Sequence, residues 1–492
     1  MTNIVVHGHF YQPPRENPRS GRIDPQPDAA PFADWNERIH AECYGPNSVA
    51  TITTADGQVT VNNFERMSFD MGPTLLAWLQ TEHPETYRRV IEADELSRAR
   101  LGHGNAMAQA FHHTILPLAT AKDIRTQVRW GLQDFRFRFG RRAEGMWLPE
   151  TAANDAVLSI LIEEGVDFTV LAPHQAGVWR EDEDGPWLSS KEHAIDSRVA
   201  YRYEHVDGSG RALAVFFYDG DLAKEIAFEN LGSSSDRFLD AFTRRAGGDD
   251  TVVHAATDGE TYGHHHKFSD LGLAHALFVE AERQDVLVTN YAAWLAEHPP
   301  QHEVRLQPGR GTSWSCAHGV GRWMTDCGCS TYGPAGWKQT WRGPLRAGLE
   351  VLRWAADQAY EVLAKPIFID PWSARDRYVS VVIGAESLGD FLEEETAGLA
   401  DAAALERAAT LLEMQRNAMS MFTSCAWFFY DVSRLETVQI LRYAARTLQL
   451  LEEVGLPLPP EAYIPLLEEA ESNDPAEGNA ATILHSILAK TP

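Results

Sequence analysis

The sequence predicts an α/β protein, with a parallel sheet covered by helices, open or closed, followed by a helical domain. Over the first 300 residues, short apolar segments alternate with amphipathic helical ones, which is typical of such a sheet. From about residue 344, long stretches carry apolar residues at helical spacing instead. A chain of 492 residues is also too long for one small domain. We therefore expect a barrel first and a helical domain second.

The predicted elements are short strands in the first part and long helices in the second. The strand candidates are 3–7, 60–62, 145–147, 168–172, 251–256 and 286–289. A stretch rich in Gly, Asp and Glu between 177 and 210 predicts a long surface insertion. The helical stretches of the second part are 345–363, 399–422 and 435–454. This organisation divides the chain into a barrel over 1–300, a Cys- and Trp-rich loop region over 301–343 and a helical domain over 344–492.

The composition restricts the partners and the compartment. With 43 Lys and Arg against 70 Asp and Glu, the net charge is −27, which disfavours binding to nucleic acids and anionic membranes. A neutral sugar meets no such repulsion. The five cysteines are an odd number, and the N-terminus resembles a first strand rather than a signal peptide. We therefore expect reduced thiols and a cytoplasmic location. The oligomeric state is not indicated by the sequence.

Polar clusters follow several of the predicted strands. They are His7-Gly-His9-Phe-Tyr-Gln12, Gln109-Ala-Phe-His112-His113, Gly145-Met-Trp147-Leu-Pro-Glu150 and Thr257-Asp258-Gly-Glu260-Thr-Tyr-Gly-His264. In α/β barrels the catalytic groups lie where strands end, so we expect these clusters to converge on one pocket. Each is weak by itself: Glu150 could simply neighbour a helix cap after Pro149, and Asp258 could form a tight Asp-Gly turn.

Taken together, the four clusters resemble the conserved regions of glycoside hydrolase family 57. That family contains α-amylases, 4-α-glucanotransferases, amylopullulanases and glycogen branching enzymes. The segment ending at Glu150 is similar to the family's nucleophile motif, and the segment from Asp258 to His264 is similar to its acid/base motif. The resemblance implies a (β/α)7 barrel followed by a helical C-terminal domain that completes the cleft. The helical half resembles an uncharacterised domain attached to a bacterial subgroup of the family.

The resemblance implies a retaining glycoside hydrolase or glucanotransferase acting on α-linked glucans, with α-1,4 linkages expected. A retaining enzyme needs two carboxyl groups about 5–5.5 Å apart. Glu150 would attack the anomeric carbon and form a glycosyl-enzyme. Asp258 would protonate the leaving oxygen and later deprotonate water or an acceptor hydroxyl. This catalysis requires no cofactor.

Further residues are expected to bind the substrate. His7, His9 and His113 would hydrogen-bond sugar hydroxyls, Trp147 and Trp427 would stack on sugar rings, and His264 would complete the acid/base motif. The family's branching enzymes place an Asp directly before a Trp in a fifth region. The matching segment here, Thr423-Ser-Cys-Ala426-Trp427, has Ala426 at that position, so the sequence departs from the branching pattern.

A second constellation lies outside the four regions. Cys316, His318, Cys327 and Cys329 fall within fourteen residues and match a tetrahedral Cys3His set, which predicts a structural zinc ion. The alternative is a substrate loop with reduced thiols, in which His318, Arg322 and Trp323 contact sugar.

Two other functions remain open at the level of the sequence. One is a metal-dependent amidohydrolase or deacetylase with His7, His9, His113, Asp258 and His264 around an ion. It leaves the Trp-Leu-Pro-Glu motif unexplained. The other is a catalytically inactive carbohydrate-binding protein, against which the retention of both carboxylates counts.

Overall fold

Seven short parallel strands form the centre of the first part of the chain. The computed structural model describes residues 2–182, 184–398 and 400–490. In chain order the strands are β1 Thr2–Phe10, β2 Ser68–Met71, β3 Ala106–Gln109, β4 Met146–Trp147, β5 Phe168–Leu171, β6 Ala212–Phe217 and β7 Val252–Asp258. Nearly all their residues are buried. Continuous apolar strands of this kind are expected where a parallel sheet is covered on both faces.

The seven strands close into a barrel. Parallel pairing joins β7 to β1, β1 to β2, β2 to β3, β3 to β4, and β5 to β6. A parallel bridge between Gly145 and Phe168 joins β4 to β5, and the Asp219 N–H donates to His254 O at 2.9 Å to join the end of β6 to β7. A Cβ at Gly145 would lie 2.3 Å from the Phe168 ring, so only glycine permits this approach. The predicted (β/α)7 barrel is confirmed.

Helices connect the barrel strands along the chain. They are Trp35–Ile39, Gly45–Ser48, Pro73–Glu82, Pro84–Leu101, Ala121–Phe139, Asp155–Glu163, Gly220–Phe228, Ser235–Thr243, Ser269–His275, Ala281–Arg283 and Tyr291–Glu297, with π-helical turns at His40–Tyr44 and Ala276–Glu280. Short 3-10 turns occur at Pro27–Ala29, Asn63–Glu65, Leu116–Leu118, Pro149–Thr151, Pro173–Gln175, Leu231–Ser233 and Gly259–Thr261.

Several strands lie outside the barrel circuit. Ala50–Thr54 and Gly57–Val61 form an antiparallel hairpin, so the predicted strand at 60–62 belongs to this hairpin and not to the barrel. The predicted insertion at 177–210 contains strands. Ala176–Arg180, Leu188–Ser189, Ala200–Glu204 and His302–Leu306 extend the sheet beyond β6. Val286–Val288 pairs with the start of β1.

The chain divides into two units. The first comprises Met1–Gln12, Pro25–Ala110 and Phe135–Trp314, and the second comprises Pro13–Asp24, Phe111–Asp134 and Ser315–Pro492. Segments 13–24 and 111–134 belong to the second unit, and the first unit extends to Trp314; the domain boundaries at 300 and 344 stay a prediction.

The second unit is helical, as its sequence pattern predicts. Its helices are Arg342–Ala364, Pro371–Arg377, Val379–Val382, Leu388–Glu395, Ala402–Ser420, Cys425–Phe428, Leu435–Glu453, Ile464–Glu468 and Ala480–Ala489, together with most of Ala121–Phe139, and its 3-10 turns are Leu116–Leu118, Gly321–Trp323 and Pro460–Ala462. The predicted helix at 399–422 begins at Ala402, where Asp401 accepts the Ala404 N–H as its N-cap, and Leu399 lies outside the described residues. Within the described ranges, no helix has the length and apolarity needed to cross a membrane.

Candidate active site

The carboxyl end of the barrel brings together three polar residues in one row. In the sheet register, His9 on β1 lies opposite Asp70 on β2 and opposite Asp258 on β7. Residues at matching positions of neighbouring parallel strands project to the same face. The end of β1 therefore places a histidine between two carboxylates, and Asp70 is a site residue that the sequence analysis did not identify.

Asp70 holds the two histidines of β1. His7 Nε2 donates to Asp70 Oδ1 at 3.0 Å, and His9 Nδ1 donates to Asp70 Oδ2 at 2.8 Å. His7 Nδ1 lies 3.0 Å from Ser68 Oγ, so both nitrogens of this imidazole have partners. All of these side chains are buried, and His7 and Asp70 are fully so. The carboxylate fixes the orientation of both rings, as a buried hydrogen-bonded network does.

The two imidazoles carry different charges. Burial has the largest single effect and lowers the pKa of His9, but the carboxylates of Asp70, Asp258 and Glu260 together outweigh it and raise the pKa to about 9, with Asp70 contributing most of the rise. Burial lowers the pKa of His7 below its usual 6.5. Near neutral pH, His9 is therefore a charged imidazolium beside Asp258, and His7 is neutral.

Glu150 lies on a strained turn just after β4. Its backbone has φ 58° and ψ 22°, and Thr151 also has a positive φ of 50°. The left-handed region costs a non-glycine residue about 1–3 kcal/mol and is concentrated at functional sites. Gln175, which is fully buried, holds the turn: its Nε2 donates to Thr151 O and its Oε1 accepts from Thr151 Oγ1, both at 2.8 Å. The strain is therefore fixed by surrounding contacts.

Trp314 binds Glu150 through both its backbone and its side chain. The Trp314 N–H donates to Glu150 O at 3.0 Å, and the indole Nε1 donates to Glu150 Oε2 at 3.1 Å. The indole also meets Trp147 edge-on, with ring centroids 5.2 Å apart. Trp314 thus orients the carboxylate. Trp314 lies two residues before Cys316 and is not among the site residues predicted from the sequence.

Asp258 lies at the last residue of β7, with its side chain reachable by solvent. Desolvation by the surrounding protein raises the pKa of this carboxyl. The positive charge on His9 opposes the rise, and the Asp70 carboxylate adds to it. A raised pKa is what a group needs if it is to donate a proton near neutral pH.

Glu260 forms a second, deeper carboxyl site next to Asp258. Tyr44 Oη donates to Glu260 Oε1 at 2.5 Å, and Gln12 Nε2 donates to Tyr44 Oη at 2.9 Å. Burial and the charge on Asp258 raise the pKa of Glu260 to about 7, while the hydrogen bond from Tyr44 acts in the opposite direction. Glu260 is buried and held by Tyr44, so its position favours support of the site over direct reaction with a substrate.

Tyr218 lies beside Trp314 and is influenced by the charge on Asp258. Its ring lies 6.5 Å from that of Trp314, which holds Glu150. Burial raises the pKa of its phenol, and the Asp258 carboxylate adds to the rise. The Trp314 ring is also 6.0 Å from the His9 ring, and His9 lies opposite Asp258 in the register. Glu150 and Asp258 are therefore linked through shared neighbours. Their 5–5.5 Å separation stays a prediction.

Trp147 and His264 are held by other protein groups. The Trp147 indole is fully buried and stacks on His7 and His9, with centroid distances of 4.7 and 5.2 Å. A covered indole presents no accessible face to a sugar ring, so its contacts favour support of the two histidines over the predicted stacking. His264 Nδ1 pairs with Glu42, which also binds Lys267 Nζ at 3.2 Å.

The other predicted substrate residues belong to the second unit. His113 is buried, has a positive φ of 55°, and its Nδ1 lies 2.6 Å from Ser424 Oγ. Trp427 is fully buried; its Nε1 donates to Arg342 O at 3.1 Å and its ring lies parallel to that of Phe422. As with Trp147, this burial leaves no open face for the predicted stacking on sugar.

The four residues of the cysteine-rich segment come together in the second unit. One ligand atom from each of Cys316, His318, Cys327 and Cys329 lies within 4.8 Å of the others. This set could hold a metal ion. Among the described residues, no other group of His, Cys, Asp or Glu side chains converges in this way.

A seven-stranded parallel barrel with carboxyl residues after β4 and β7 has the architecture of a barrel enzyme. The family model for glycosyl hydrolase family 57 matches residues 27–307, which is more than half of the chain. The chain belongs to glycosyl hydrolase family 57. A domain of unknown function, DUF3536, matches residues 337–491.

Individual relatives are distant in sequence. Alpha-amylase 1 of Dictyoglomus thermophilum is 27% identical over 111 residues, which are 22% of this chain and 16% of that protein. An exo-type maltose-forming amylase from Pyrococcus sp. ST04 has a similar fold, with a TM-score of 0.74, 14% identity and coverage of 100% of this chain and 92% of that chain. A family 57-type branching enzyme from Pyrococcus horikoshii has a TM-score of 0.55 at 14% identity, with coverage of 100% and 97%. These two structures establish the likeness of fold.

Proposed function

We propose that the chain is a retaining glycoside hydrolase or glucanotransferase that acts on α-linked glucans, with α-1,4 linkages as the expected substrate. The observation that carries the proposal is the arrangement of two carboxyl groups at strand ends of a family 57 barrel. Glu150 is oriented by Trp314 on a braced, strained turn, and Asp258 lies opposite His9. The amylase and the branching enzyme of similar fold are, by their names, α-glucan enzymes, which supports the substrate class.

In the proposed mechanism Glu150 is the nucleophile and Asp258 the general acid and base. Glu150 attacks the anomeric carbon while Asp258 gives its proton to the leaving glycosidic oxygen, which breaks the bond and leaves a glycosyl ester on Glu150. Asp258, now a carboxylate, then takes a proton from water or from an acceptor hydroxyl, whose oxygen attacks the same carbon and releases Glu150. The raised pKa of Asp258 supports the first of these proton transfers.

His9 and Trp314 prepare this reaction. The imidazolium of His9 can donate a hydrogen bond to a sugar hydroxyl at the cleaved unit. Its positive charge also stabilises the ionised form of Asp258. Trp314 fixes one oxygen of the Glu150 carboxylate, so the group is oriented before substrate binds. His7 is buried behind His9 and acts through Asp70, which makes it a positioning residue.

The hydrogen bonds of His7 disfavour the metal-dependent amidohydrolase. That alternative requires His7, His9, His113, Asp258 and His264 to direct their donor atoms at one ion. Both nitrogens of His7 are instead engaged by Ser68 and Asp70. We therefore propose that no step of the reaction runs through a metal ion, and that a zinc ion at the Cys3His set would serve structure alone.

The reaction product distinguishes hydrolysis, linear transfer and branching. Water and an acceptor sugar compete for the same glycosyl-enzyme, so hydrolysis and transfer share every residue named above. Ala426, which is buried, occupies the position where the family's branching enzymes are expected to have an Asp, so we propose hydrolysis or linear transfer rather than branching. We expect the protein in the cytoplasm, where all five free cysteines would stay reduced. Its expected binding partner is an α-glucan.

The test is analysis of products after incubation with maltoheptaose, amylose and glycogen. Shorter chains alone indicate hydrolysis, a ladder of longer and shorter chains indicates transfer, and new α-1,6 linkages would contradict the proposal about Ala426. Glu150→Gln and Asp258→Asn serve as controls and should produce neither. Intact substrates after incubation with folded wild-type protein would contradict the proposed function.

A further inference from the structure

The segment that joins strand His302–Leu306 to helix Arg342–Ala364 has little regular structure of its own. Over 315–341 its one regular element is the 3-10 turn Gly321–Trp323. Gly319, Gly328 and Gly336 have positive φ values, so the backbone changes direction repeatedly. Long irregular segments in compact domains are uncommon unless they have a function or are fixed by cross-links.

The ligand atoms in this segment have the spacing of a metal site. Cys316 Sγ lies 3.8 Å from both Cys327 Sγ and Cys329 Sγ, and Cys329 Sγ lies 3.6 Å from His318 Nδ1. Zn–S bonds of about 2.3 Å and Zn–N bonds of about 2.0–2.1 Å in a tetrahedron set these edges at about 3.8 Å and about 3.6 Å. We propose that Cys316, His318, Cys327 and Cys329 bind one zinc ion in the second unit. This site does not depend on the reaction proposed for the barrel.

A glycine leaves room for the ligands. A Cβ at Gly321 would lie 3.2 Å from the Cβ of Cys327 and 3.3 Å from the Cβ of His318, which is closer than most side-chain contacts. The glycine therefore allows the turn at 321 to approach two of the proposed ligand residues closely. Such close approach of backbone to ligands is a usual reason for glycine at a binding site.

Two buried arginines give an independent electrostatic reason for an anionic cluster. Arg342 is fully buried and donates to Cys329 O at 2.6 Å, and Arg322 is buried and donates to Phe428 O at 3.3 Å. Within the described part of the chain, neither guanidinium forms an ion pair with a carboxylate. Three thiolates and a neutral imidazole around Zn²⁺ give a net charge of minus one, whereas three neutral thiols give none. The zinc complex therefore supplies negative charge near two buried cations that have only carbonyl and hydroxyl acceptors.

The site would stabilise the contacts of the second unit around residues 424–428. Trp323 lies in the sequence between His318 and Cys327 and is fully buried. Its Nε1 donates to Ser424 O at 3.1 Å. The guanidinium of Arg322 lies 4.3 Å from the centre of the Phe428 ring. Ser424 in turn contacts His113. A zinc ion that closes the loop holds these side chains in place, so the role is structural, because four protein ligands leave no open position for a substrate.

Elemental analysis of the full chain, purified without added metal, tests the site. We expect close to one equivalent of zinc per chain. Titration of the wild-type protein with an organomercurial thiol reagent should release that zinc as the three cluster thiols react. A zinc content below about a tenth of an equivalent, or iron in its place, would overturn the proposal.

Matched cysteine variants separate the site from a general effect of thiol loss. Cys327→Ser should abolish zinc binding, whereas Cys425→Ser, which changes a half-buried cysteine of the same unit outside the set, should retain the full equivalent. If Cys327→Ser does not fold, replacement of zinc by Co²⁺ in the wild type provides the readout, since tetrahedral thiolate ligation gives intense visible absorption. Full zinc retention by Cys327→Ser, or a Co²⁺ spectrum of octahedral type, would contradict the assigned ligands.

Discussion

The Asp70 carboxylate is the feature of the barrel site whose removal has the most specific consequence. Asp70→Asn keeps the shape of the side chain but removes the charge that binds His7 and His9. Burial, which has the largest single effect on the pKa of His9 and lowers it, is then opposed only by the smaller effects of Asp258 and Glu260. We expect His9 in the variant to be neutral near pH 7, whereas the wild-type residue is protonated.

The size of the effect follows from the pKa of His9. Its rise from 6.5 to about 9 on folding corresponds to about 3 kcal/mol of stability, at about 1.4 kcal/mol for each pH unit. Because the folded pKa is raised, this contribution is fully present below pH 6.5 and is lost as the pH increases through 9. The stability difference between wild type and Asp70→Asn should therefore be largest near pH 6 and should shrink by about 3 kcal/mol near pH 9.5.

The assay is urea-induced unfolding of both proteins at several pH values from 6 to 9.5. Asp94→Asn is the matched control. Asp94 is also buried, but it is bound by Arg141 at 2.8 Å, and an arginine does not titrate in this range. The control should lose stability equally at every pH. If Asp70→Asn shows the same pH-independent loss as Asp94→Asn, the assignment of the His9 charge to Asp70 is refuted.

Three further predictions concern the carboxyl groups of the barrel. Glu150→Gln should lose turnover by several orders of magnitude with an unchanged unfolding midpoint, and near-wild-type activity would remove the nucleophile assignment. Activity per folded molecule should persist after exhaustive chelation; loss of activity with an intact fold, restored by a divalent ion, would favour the amidohydrolase. Tyr44→Phe should destabilise the protein by about 1.5–3 kcal/mol at pH 8, where Glu260 is charged, and by less at pH 5, where it is protonated. An equal loss at both pH values would show that the hydrogen bond does not respond to the charge on Glu260.

The residues at the strand ends could be predicted because the apolar strand patterns end where the recognised motifs begin. His7 and His9 lie near the end of β1, Asp258 is the last residue of β7, and Glu150 comes three residues after β4. Asp70 was missed for a physical reason. Its strand, Ser68–Met71, is only four residues long. The β-branched segment just before it gives a stronger strand pattern, so the strand was predicted at 60–62 instead. That segment forms a local hairpin, and nothing in its own sequence distinguishes a hairpin strand from a barrel strand.

Residues that act through long-range contacts were also beyond the sequence pattern. Trp314 reaches Glu150 across 164 positions, and Tyr44 reaches Glu260 across 216. Two tryptophans, in contrast, were assigned a role in substrate binding from residue type and motif alone. Trp147 and Trp427 have the residue type that stacks on sugars, but burial is a property of the whole fold, and both indoles are fully covered. The convergence of Cys316, His318, Cys327 and Cys329 was predictable because the four residues lie within fourteen positions of the sequence.

The central claim, a covalent glycosyl-enzyme on Glu150, is tested most directly by trapping that intermediate. Asp258→Asn removes the base needed to release the sugar, while α-maltosyl fluoride has a leaving group that needs no acid, so the intermediate should accumulate. Mass spectrometry of the digested protein should find one maltosyl unit on the peptide that contains Glu150, located on that residue by fragmentation. Absence of the label from Glu150, or equal labelling after Glu150→Gln is added to Asp258→Asn, would contradict the account.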